Sequence, residues 1–454
     1  MTIARTICLG FVAVITVGTL LLILPFSTVD GHWNNPIIAL FTSTSAVCVT
    51  GLTVVDTGTY FSFWGQLIIT LLIQVGGLGY MTTTTFLMLL IGRRFDLRQK
   101  LAIQDSFDRP FRQVSSRMMI SSIISMTLLF EITGVIFLFI FFKDRYELPY
   151  SLWLSIFHSV SAWNNAGFGL FKDNLMSVQG SLIINFTITI LIIFGGLGYQ
   201  AILEIYMWII HKIKNKQERV VLSLNFKVVT STTLFLLIFG TVIFLLVEYN
   251  NPETLASMSL KDKLLGAWFQ SVTTRTAGFN TIDNGKMTIA GLLLTMGLMF
   301  IGASPSGTGG GIKTTTVRIL SNCTRSVLRG NDQVILYQRE VPVPLILKAV
   351  SVVFGSTILV ISISFFISFI EVSINPDVFE VSFNSLQVLF EVISAFGTVG
   401  LSTGITASLS PISQILLVLT MYTGRVGVLL LMAAIVGDAR PRVVQYPEES
   451  LLVG

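Results

Sequence analysis

Charged residues are scarce in this chain of 454 residues. Only 12% are Asp, Glu, Lys or Arg, whereas 52% are hydrophobic, and the mean hydropathy is +0.79. A soluble domain of this length needs more polar surface, so the composition predicts an integral membrane protein surrounded by lipid. The net charge is +5, but the positive residues are not gathered in a basic amphipathic domain that could bind nucleic acid. We therefore expect no nucleic-acid partner.

Cysteine and histidine are almost absent as well. The three cysteines and three histidines lie far apart, at Cys8, Cys48, Cys323, His32, His158 and His211. They form no metal-ligand spacing and no nucleophile pattern, so we predict neither a disulfide framework nor a cluster of metal-ligating side chains. A membrane-embedded enzyme would need such a cluster. We therefore predict that the chain is not an enzyme.

Long apolar runs, in contrast, are frequent. About 20 helical residues cross the roughly 30 Å hydrocarbon core of a bilayer. Eight stretches suit such spans, near 5–25, 63–91, 118–142, 181–210, 227–248, 287–302, 345–371 and 412–436. The first has no small-residue cleavage pattern, which favours a span over a secretory signal. Shorter, semi-polar segments at 36–50, 151–165, 262–277 and 383–398 suit re-entrant half-helices.

Positively charged residues are concentrated in three linkers, at 93–117, 212–227 and 318–348. Such linkers face the cytoplasm, so an even number of crossings must separate them. Two spans plus one re-entrant segment satisfy this condition. We predict four helix–loop–helix units with both termini in the cytoplasm, at 1–100, 101–215, 216–330 and 331–454.

A pattern of small or polar residues, a glycine and a bulky apolar residue recurs four times. It reads Val49-Thr50-Gly51-Leu52, Asn165-Ala166-Gly167-Phe168, Thr276-Ala277-Gly278-Phe279 and Thr398-Val399-Gly400-Leu401. The glycines lie 116, 111 and 122 residues apart, as expected of four similar units. One such glycine alone is more typical of a helix C-cap or a tight turn. The fourfold recurrence favours a shared function.

Four glycine-bearing loops on one axis are suited to an ion filter. A dehydrated cation needs several oxygens at fixed distances, and rings of backbone carbonyls provide them. Glycine allows the backbone dihedral angles that other residues avoid. The carbonyl end of a preceding half-helix adds partial negative charge at the same place.

A second glycine cluster interrupts the sixth span. It contains Gly302, Ser304, Pro305, Ser306, Gly307, Thr308, Gly309, Gly310 and Gly311. Irregular backbone survives at membrane depth only beside protein or a water-filled cavity, so we predict that it faces the conduction path. A passive break that merely packs is the alternative. A phosphate-binding loop is not predicted, because Ile312 separates Gly311 from Lys313.

These features resemble the Trk/Ktr/HKT superfamily of potassium transporters, most closely its bacterial KtrB branch, over essentially the whole chain. The resemblance rests on the four loops, the broken sixth span, Gly-Gly-Leu-Gly-Tyr at 76–80 and 195–199, and Tyr422-Thr423-Gly424-Arg425. It implies an all-α integral membrane protein of the bacterial cell (inner) membrane, with four helix–pore loop–helix repeats in a pseudo-fourfold arrangement around one pore. It also implies a homodimer bound to a cytoplasmic nucleotide-binding regulatory ring of the KtrA type, so that any nucleotide cofactor sits on the partner. Sodium stimulation is known in relatives.

The resemblance also assigns residues. The carbonyls of Gly51, Gly167, Gly278 and Gly400 would hold K⁺, with those of Thr50, Ala166, Ala277 and Val399 beside them. Glycine at the first position goes with potassium preference in the family. Because the neighbouring residues differ among the four copies, we expect one good ion site rather than a row of four.

Arg425 lies in the last span, where a cation costs at least about 2.5 kcal/mol. Family resemblance places it near the glycine cluster at 302–311, an intramembrane gate in relatives. There it could donate to carbonyls and repel cations in the closed state. The alternative is that it snorkels toward the cytoplasmic face.

The leading hypothesis is a potassium uptake pore driven by the membrane potential, which supplies about 2.3 kcal/mol per charge per 100 mV. The alternative is a secondary transporter that couples K⁺ to Na⁺ or H⁺. It would need ionisable groups near the midplane, and the pore segments offer only Arg275, Glu391 and Asp56. No role is assigned to Glu131. The cytoplasmic linkers and the tail at 437–454 are the expected docking surfaces for a regulator.

Overall fold

The structure is a computed structural model that describes residues 3–79, 116–213, 222–374 and 384–436. Most of these residues are helical, and the two short strands β1 (Ile335–Leu336) and β2 (Arg339–Glu340) pair in a small antiparallel hairpin. The helices longer than four residues are α1 (Ile3–Ile23), α2 (Pro36–Val47), α3 (Phe63–Leu78), α4 (Ser116–Phe142), α5 (Leu148–Trp163), α6 (Leu182–Leu197), α7 (Tyr199–Ile213), α8 (Leu224–Glu248), α9 (Leu260–Thr273), α10 (Ile289–Phe300), α11 (Thr314–Leu328), α12 (Val343–Ile374), α13 (Ser385–Gly397), α14 (Pro411–Val426) and α15 (Val428–Val436).

Four of the helices in the described ranges, α1, α4, α8 and α12, are long and apolar enough to cross a membrane. Each is the first helix of one predicted unit. The short helix that follows each of them, α2, α5, α9 or α13, overlaps one of the four semi-polar segments. The order of long helix, half-helix, loop and second helix therefore repeats along the chain as predicted.

Two of the second helices are bent, whereas the sequence predicted one continuous span for each. The stretches at 181–210 and 412–436 are bent pairs, α6 with α7 and α14 with α15, and the bends measure 102° and 97°. Each bend follows a glycine with a φ of +90°, Gly198 or Gly427. Residues with a side chain rarely adopt this backbone conformation, and it ends the helix sharply. Hydropathy along the sequence gave no sign of the bends because apolar residues continue on both sides.

The other two second helices also end early. The helix α3 stops at Leu78, before Gly79 with a φ of +81°, and the remainder of the predicted span at 63–91 lies outside the described residues. In the sixth span, α10 ends at Phe300 and α11 begins only at Thr314, so the predicted interruption is present.

In each of the first three units, one serine of the half-helix forms a hydrogen bond to the long helix. The hydroxyls of Ser43, Ser159 and Ser271 donate to the carbonyls of Ile15, Glu131 and Leu237 at 2.8, 2.7 and 2.8 Å. Opposite these serines stand Gly18, Gly134 and Gly240, where an added Cβ would meet the serine oxygen. Small residues at this contact allow the close helix approach that is typical of membrane bundles.

Buried glutamates hold the start of two second helices. Glu248 and Glu371 are each 1% exposed. Their carboxylates accept hydrogen bonds from the backbone N–H groups of Thr288 and Ser410, in both cases at 3.0 Å. Thr288 and Ser410 are the N-caps of α10 and α14, where negative charge is favourable. These contacts define where the second helices enter the bundle.

Several sequence-based predictions lie outside the described residues. They are the unit boundaries at 100 and 215, the cations from Arg93 to Arg112 and from Lys214 to Arg219, and the tail at 437–454. These remain predictions.

Candidate functional site

The four recurrent loops meet in a closed ring. We call them glycine loops 1 to 4, residues 49–51, 165–167, 276–278 and 398–400. A Cβ built on Gly167 would lie 2.8 Å from the carbonyl oxygen of Ala277 and 2.8 Å from Cα of Gly278. In the same way a Cβ on Gly51 would meet the carbonyl of Ala166, one on Gly278 that of Val399, and one on Gly400 that of Thr50. Each loop touches the next, and the fourth returns to the first.

All four loops have the same backbone conformation. The glycines have φ angles of +89°, +68°, +77° and +92°, in chain order. The residues two positions earlier, Val49, Asn165, Thr276 and Thr398, also have positive φ, from +50° to +67°. This conformation costs a side-chain-bearing residue about 1–2 kcal/mol, so the surrounding contacts must hold it in place.

The hydrogen bonds of glycine loop 1 show which way its carbonyls face. The N–H groups of Val49 and Thr50 donate to the carbonyls of Ala46 and Ser45, at 3.1 and 2.8 Å, and the N–H of Gly51 donates to Ser45 Oγ at 3.0 Å. All three point back to the half-helix. In a trans peptide the C=O is opposed to the N–H, so the carbonyls of Val49 and Thr50 face away from α2.

Glycine loop 4 repeats these bonds residue for residue. The N–H groups of Thr398 and Val399 donate to the carbonyls of Ala395 and Ser394, at 3.1 and 2.9 Å. The N–H of Gly400 donates to Ser394 Oγ at 3.1 Å. In glycine loops 1 and 4 the carbonyls therefore face away from the half-helices, and those of Thr50 and Val399 lie beside the ring glycine of a neighbouring loop.

A hydroxyl at the base of each loop was missed by the sequence reasoning. Ser45 and Ser394 accept from the ring glycine, while Ser161 Oγ donates to the carbonyl of Phe168 at 2.8 Å and Thr273 Oγ1 donates to that of Phe279. The sequence did contain a sign of these contacts, because a serine or threonine stands five or six residues before each ring glycine. The spacing from this hydroxyl to the ring glycine is five residues in the third unit, from Thr273 to Gly278, and six in the other three.

A cavity of about 560 Å³ opens on one side of the ring, and all four ring glycines line it. Asp56, Lys172 and Asp173 line it farther out. Clefts that carry carboxylates raise the local concentration of cations. The bulky residues after the glycines are at most 1% exposed, and they are Leu52, Phe168, Phe279 and Leu401.

The second glycine cluster lies against the other side of the ring. We call residues 302–311 the Gly-rich loop. The N–H of Gly310 donates to Thr398 Oγ1 at 2.8 Å, and a Cβ on Gly309 would meet Thr276 Oγ1. These threonines belong to glycine loops 4 and 3. The Gly-rich loop is therefore in direct contact with the ring, which the sequence alone could not show.

Helix ends hold the Gly-rich loop in this position. Its N–H groups at Ser304 and Thr308 donate to the carbonyls of Gly196 and Gly195 near the end of α6, at 3.0 and 3.2 Å. Gly311 donates to Gly424 in α14 at 3.3 Å. These carbonyls are free because the helices end there.

Two cations bind neighbouring carbonyls of the Gly-rich loop. Arg425 donates to the carbonyl of Thr308 and also to that of Gly76. Lys313 Nζ donates to the carbonyl of Gly309 at 2.8 Å. Arg425 therefore faces the loop and does not snorkel. Lys313 was not predicted as a site residue, although a lysine at the end of an intramembrane loop was a signal.

Two buried glutamates, Glu391 and Glu131, contact the chain next to the glycine loops. Glu391 is 1% exposed and accepts from Ser402 Oγ, Thr403 N–H and Thr406 Oγ1 at 2.7, 2.9 and 2.8 Å. It thereby holds the segment after Gly400.

Glu131 has a corresponding position behind glycine loop 2. It is buried and accepts from Asn164 Nδ2 at 3.2 Å. Asn164 immediately precedes that loop, so Glu131 too contacts the chain behind the ring.

Comparison with known proteins places this architecture in a family. The family model TrkH, described as "Cation transport protein", matches residues 11–438. The chain belongs to the TrkH family. It is 36% identical to the Ktr system potassium uptake protein B of Vibrio alginolyticus, over 99% of this chain and 94% of that protein. It is 34% identical to the potassium/sodium uptake protein NtpJ of Enterococcus hirae, over 99% and 97%.

A solved structure supports the fold. The crystal structure of the potassium transporter TrkH from Vibrio parahaemolyticus matches with a TM-score of 0.70 at 15% identity, over 95% of this chain and 83% of that one. This TrkH-family chain is therefore an all-α, multi-pass membrane protein of a family of ion transporters, not of enzymes.

Proposed function

We propose that this chain is the ion-translocating subunit of a potassium uptake system. The observation that carries the proposal is the closed ring of four glycine loops, in which a backbone carbonyl oxygen of each loop lies beside the ring glycine of a neighbouring loop. The names of the relatives support K⁺ as the cargo.

In this proposal K⁺ binds to the carbonyls of Gly51, Gly167, Gly278 and Gly400, which replace its hydration shell. The carbonyls of Thr50, Ala166, Ala277 and Val399 stand beside them. The cavity of about 560 Å³ is the entry for hydrated ions. A single good site is proposed, because the loops share their backbone but not their side chains.

The Gly-rich loop is the proposed gate. It lies directly against Thr276 and Thr398, where an ion leaving the ring must pass. Arg425 and Lys313 add positive charge at this place, which opposes the passage of a cation. We assign the present arrangement to the closed state, and opening requires the loop to swing aside.

Replacing Thr398 by Val tests the contact between ring and gate. The change keeps a β-branched side chain but leaves the buried N–H of Gly310 without its acceptor. An unpaired buried donor costs about 1–3 kcal/mol, and the cost falls on the closed state alone. We expect the maximal K⁺ uptake rate in a transport-deficient cell to rise about fivefold, which corresponds to about 1 kcal/mol.

Thr44→Val is the control, because the hydroxyl of Thr44 in α2 is also buried, has no hydrogen-bond partner and lies outside the ring and the gate. Its uptake rate should stay near the wild-type value. Equal rates for the two variants would contradict the role of the Gly310 contact.

The driving force is proposed to be the membrane potential. In liposomes with an imposed potential of about 120 mV and no Na⁺ or H⁺ gradient, K⁺ should accumulate about 100-fold, because about 2.3 kcal/mol per 100 mV acts on each charge. The alternative, a secondary transporter that couples K⁺ to Na⁺ or H⁺, draws on the potassium/sodium name of one relative. It predicts that a Na⁺ or H⁺ gradient alone drives K⁺ uptake. Sodium can also act only as a stimulator, in which case it changes the rate without changing the accumulation limit.

The proposed assembly is a homodimer in the bacterial inner membrane with both termini in the cytoplasm. A cytoplasmic regulatory ring of the KtrA type is the proposed nucleotide-binding partner, in line with the "Ktr system" name of a relative. The cytoplasmic linkers and the tail are its proposed docking surfaces. Purification of the complex from native membranes, with its subunits counted by mass, tests this composition.

A further inference from the structure

Arg275 is a buried cation whose guanidinium has unpaired donors. It precedes Thr276 of glycine loop 3 and is only 7% exposed. Its Nε and Nη1 atoms are buried and make no hydrogen bond. A buried donor without a partner costs free energy, and a charged one costs more. The proposed filter and gate do not use this side chain, so its unpaired donors need a separate explanation.

A very small cavity adjoins Arg275. It measures about 10 Å³ and is lined by Arg275, Gly196, Thr233 and four apolar residues. One water molecule needs about 10–15 Å³ of such volume and two to four polar partners. Thr233 Oγ1 is also buried and without a partner. The cavity thus has the size of one water molecule and is bordered by unpaired polar groups from two elements.

The backbone of Arg275 is joined to the ring. Its carbonyl accepts from Asn165 Nδ2 of glycine loop 2 at 3.4 Å, and the next residue, Thr276, has a φ of +67°. A movement of Arg275 is therefore transmitted to the carbonyls of Thr276 and Ala277.

We propose that one buried water molecule fills the cavity, accepts a hydrogen bond from the Arg275 guanidinium and donates one to Thr233 Oγ1, and thereby makes Arg275 the positioning residue of glycine loop 3. This inference rests on the proposed filter function of the ring. The water links glycine loop 3 to α8, where Thr233 lies, while Asn165 links it to glycine loop 2. The loop is then held from both sides at the width that suits K⁺.

The chain offers a closely matched pair of variants. Thr232 and Thr233 are adjacent, both 6% exposed, and both have an unpaired buried hydroxyl. Of the two, only Thr233 lines the cavity. Val is nearly isosteric with Thr, so Thr233→Val removes the water's acceptor whereas Thr232→Val changes a neighbouring hydroxyl of the same kind.

We expect Thr233→Val and Arg275→Met each to raise the KM for K⁺ and to lower the ratio of K⁺ to Na⁺ uptake about tenfold, with expression unchanged. The double variant should be no worse than the more severe single one, because both remove the same link. Arg275→Lys should recover part of the ratio, since it keeps a donor. Thr232→Val should match the wild type. A high-resolution cryo-EM map should show water density in the cavity of the wild type and none in Thr233→Val.

Equal behaviour of Thr233→Val and Thr232→Val, additive losses in the double variant, or an empty cavity in the wild-type map would each overturn the proposal. If Arg275→Met does not fold, the comparison of Thr233→Val with Thr232→Val and the cryo-EM map still test the proposal. Gly278→Ser separates this inference from the filter assignment. If it alters selectivity and the Arg275 and Thr233 variants do not, only the positioning role is wrong; if none of them alters selectivity, the ring is not the filter.

Discussion

Gly278→Ser should lower the preference for K⁺ over Na⁺ by at least about tenfold, which corresponds to about 1.4 kcal/mol. A Cβ at this position would meet the carbonyl of Val399 and lie 3.2 Å from Cα of Gly400. Both are backbone atoms of the next loop, so the ring must widen to accommodate the side chain. The φ of +77° adds strain for any residue other than glycine. A wider ring replaces the hydration shell of K⁺ less well.

The measurement is K⁺ and Na⁺ uptake in a cell that lacks its own potassium transport, normalised to the amount of protein in the membrane. Gly404→Ser is the matched control. Gly404 has a φ of +96° and lines the same cavity, but a Cβ there would have nothing within 4 Å. The control carries the same kind of backbone strain without crowding the ring. Wild-type selectivity in Gly278→Ser would show that the filter assignment is wrong.

Gly400→Ser should have a similar effect. Its Cβ would meet the carbonyl of Thr50 and lie 3.0 Å from Cα of Gly51, where the fourth loop closes on the first. The two substitutions therefore test the ring at two separate contacts.

Deletion of residues 306–311 should raise the maximal K⁺ uptake rate about tenfold. The deletion removes the atoms that contact Thr276 and Thr398, and it removes the carbonyls that Arg425 and Lys313 bind. At about 0.5–1.5 kcal/mol for each hydrogen bond lost, losing even two or three of these contacts is enough for a tenfold shift towards the open state. The chain ends can be joined, because the N–H of Gly302 donates to the carbonyl of Ile312 at 2.9 Å.

The ratio of K⁺ to Na⁺ uptake shows whether the deletion opens the gate or disturbs the ring of glycine loops. The deletion leaves the four glycine loops in place, so the ratio of K⁺ to Na⁺ uptake should stay within about twofold, an effect below about 0.5 kcal/mol. Deletion of Pro252 and Glu253, which are exposed in the turn after α8, controls for shortening the chain and should leave the rate unchanged. An unchanged or lower rate in well-folded protein lacking 306–311 would count against a gate.

Local patterns predicted much of the architecture. The half-helices and the break in the sixth span follow from segment length and from clustered glycine and proline, which act on the backbone where they stand. The bends at Gly198 and Gly427 did not follow, because a single glycine inside an apolar run is compatible with a straight membrane helix. Hydropathy measures side chains, whereas these bends depend on one φ angle.

The candidate site was predicted in part. The ring glycines and Arg425 were identified from recurrence and from the cost of a charge in the membrane. Lys313 and the hydroxyls of Ser45, Ser161, Thr273 and Ser394 were not, because serine, threonine and lysine are common and their partners are backbone atoms. A carbonyl leaves no signature in the sequence.

By itself the sequence determined that the chain is embedded in a membrane, that a glycine recurs in four units and that one span is broken. These properties depend on composition and on local backbone preference. Only the tertiary structure decided that the four loops close into one ring, that the Gly-rich loop lies against two of them, and that Arg425 holds it there. Most of these contacts join residues that are distant in the sequence, as Arg425 and Thr308 are, 117 residues from one another. Their pairing is set by how the helices pack, and no local pattern along the chain encodes it.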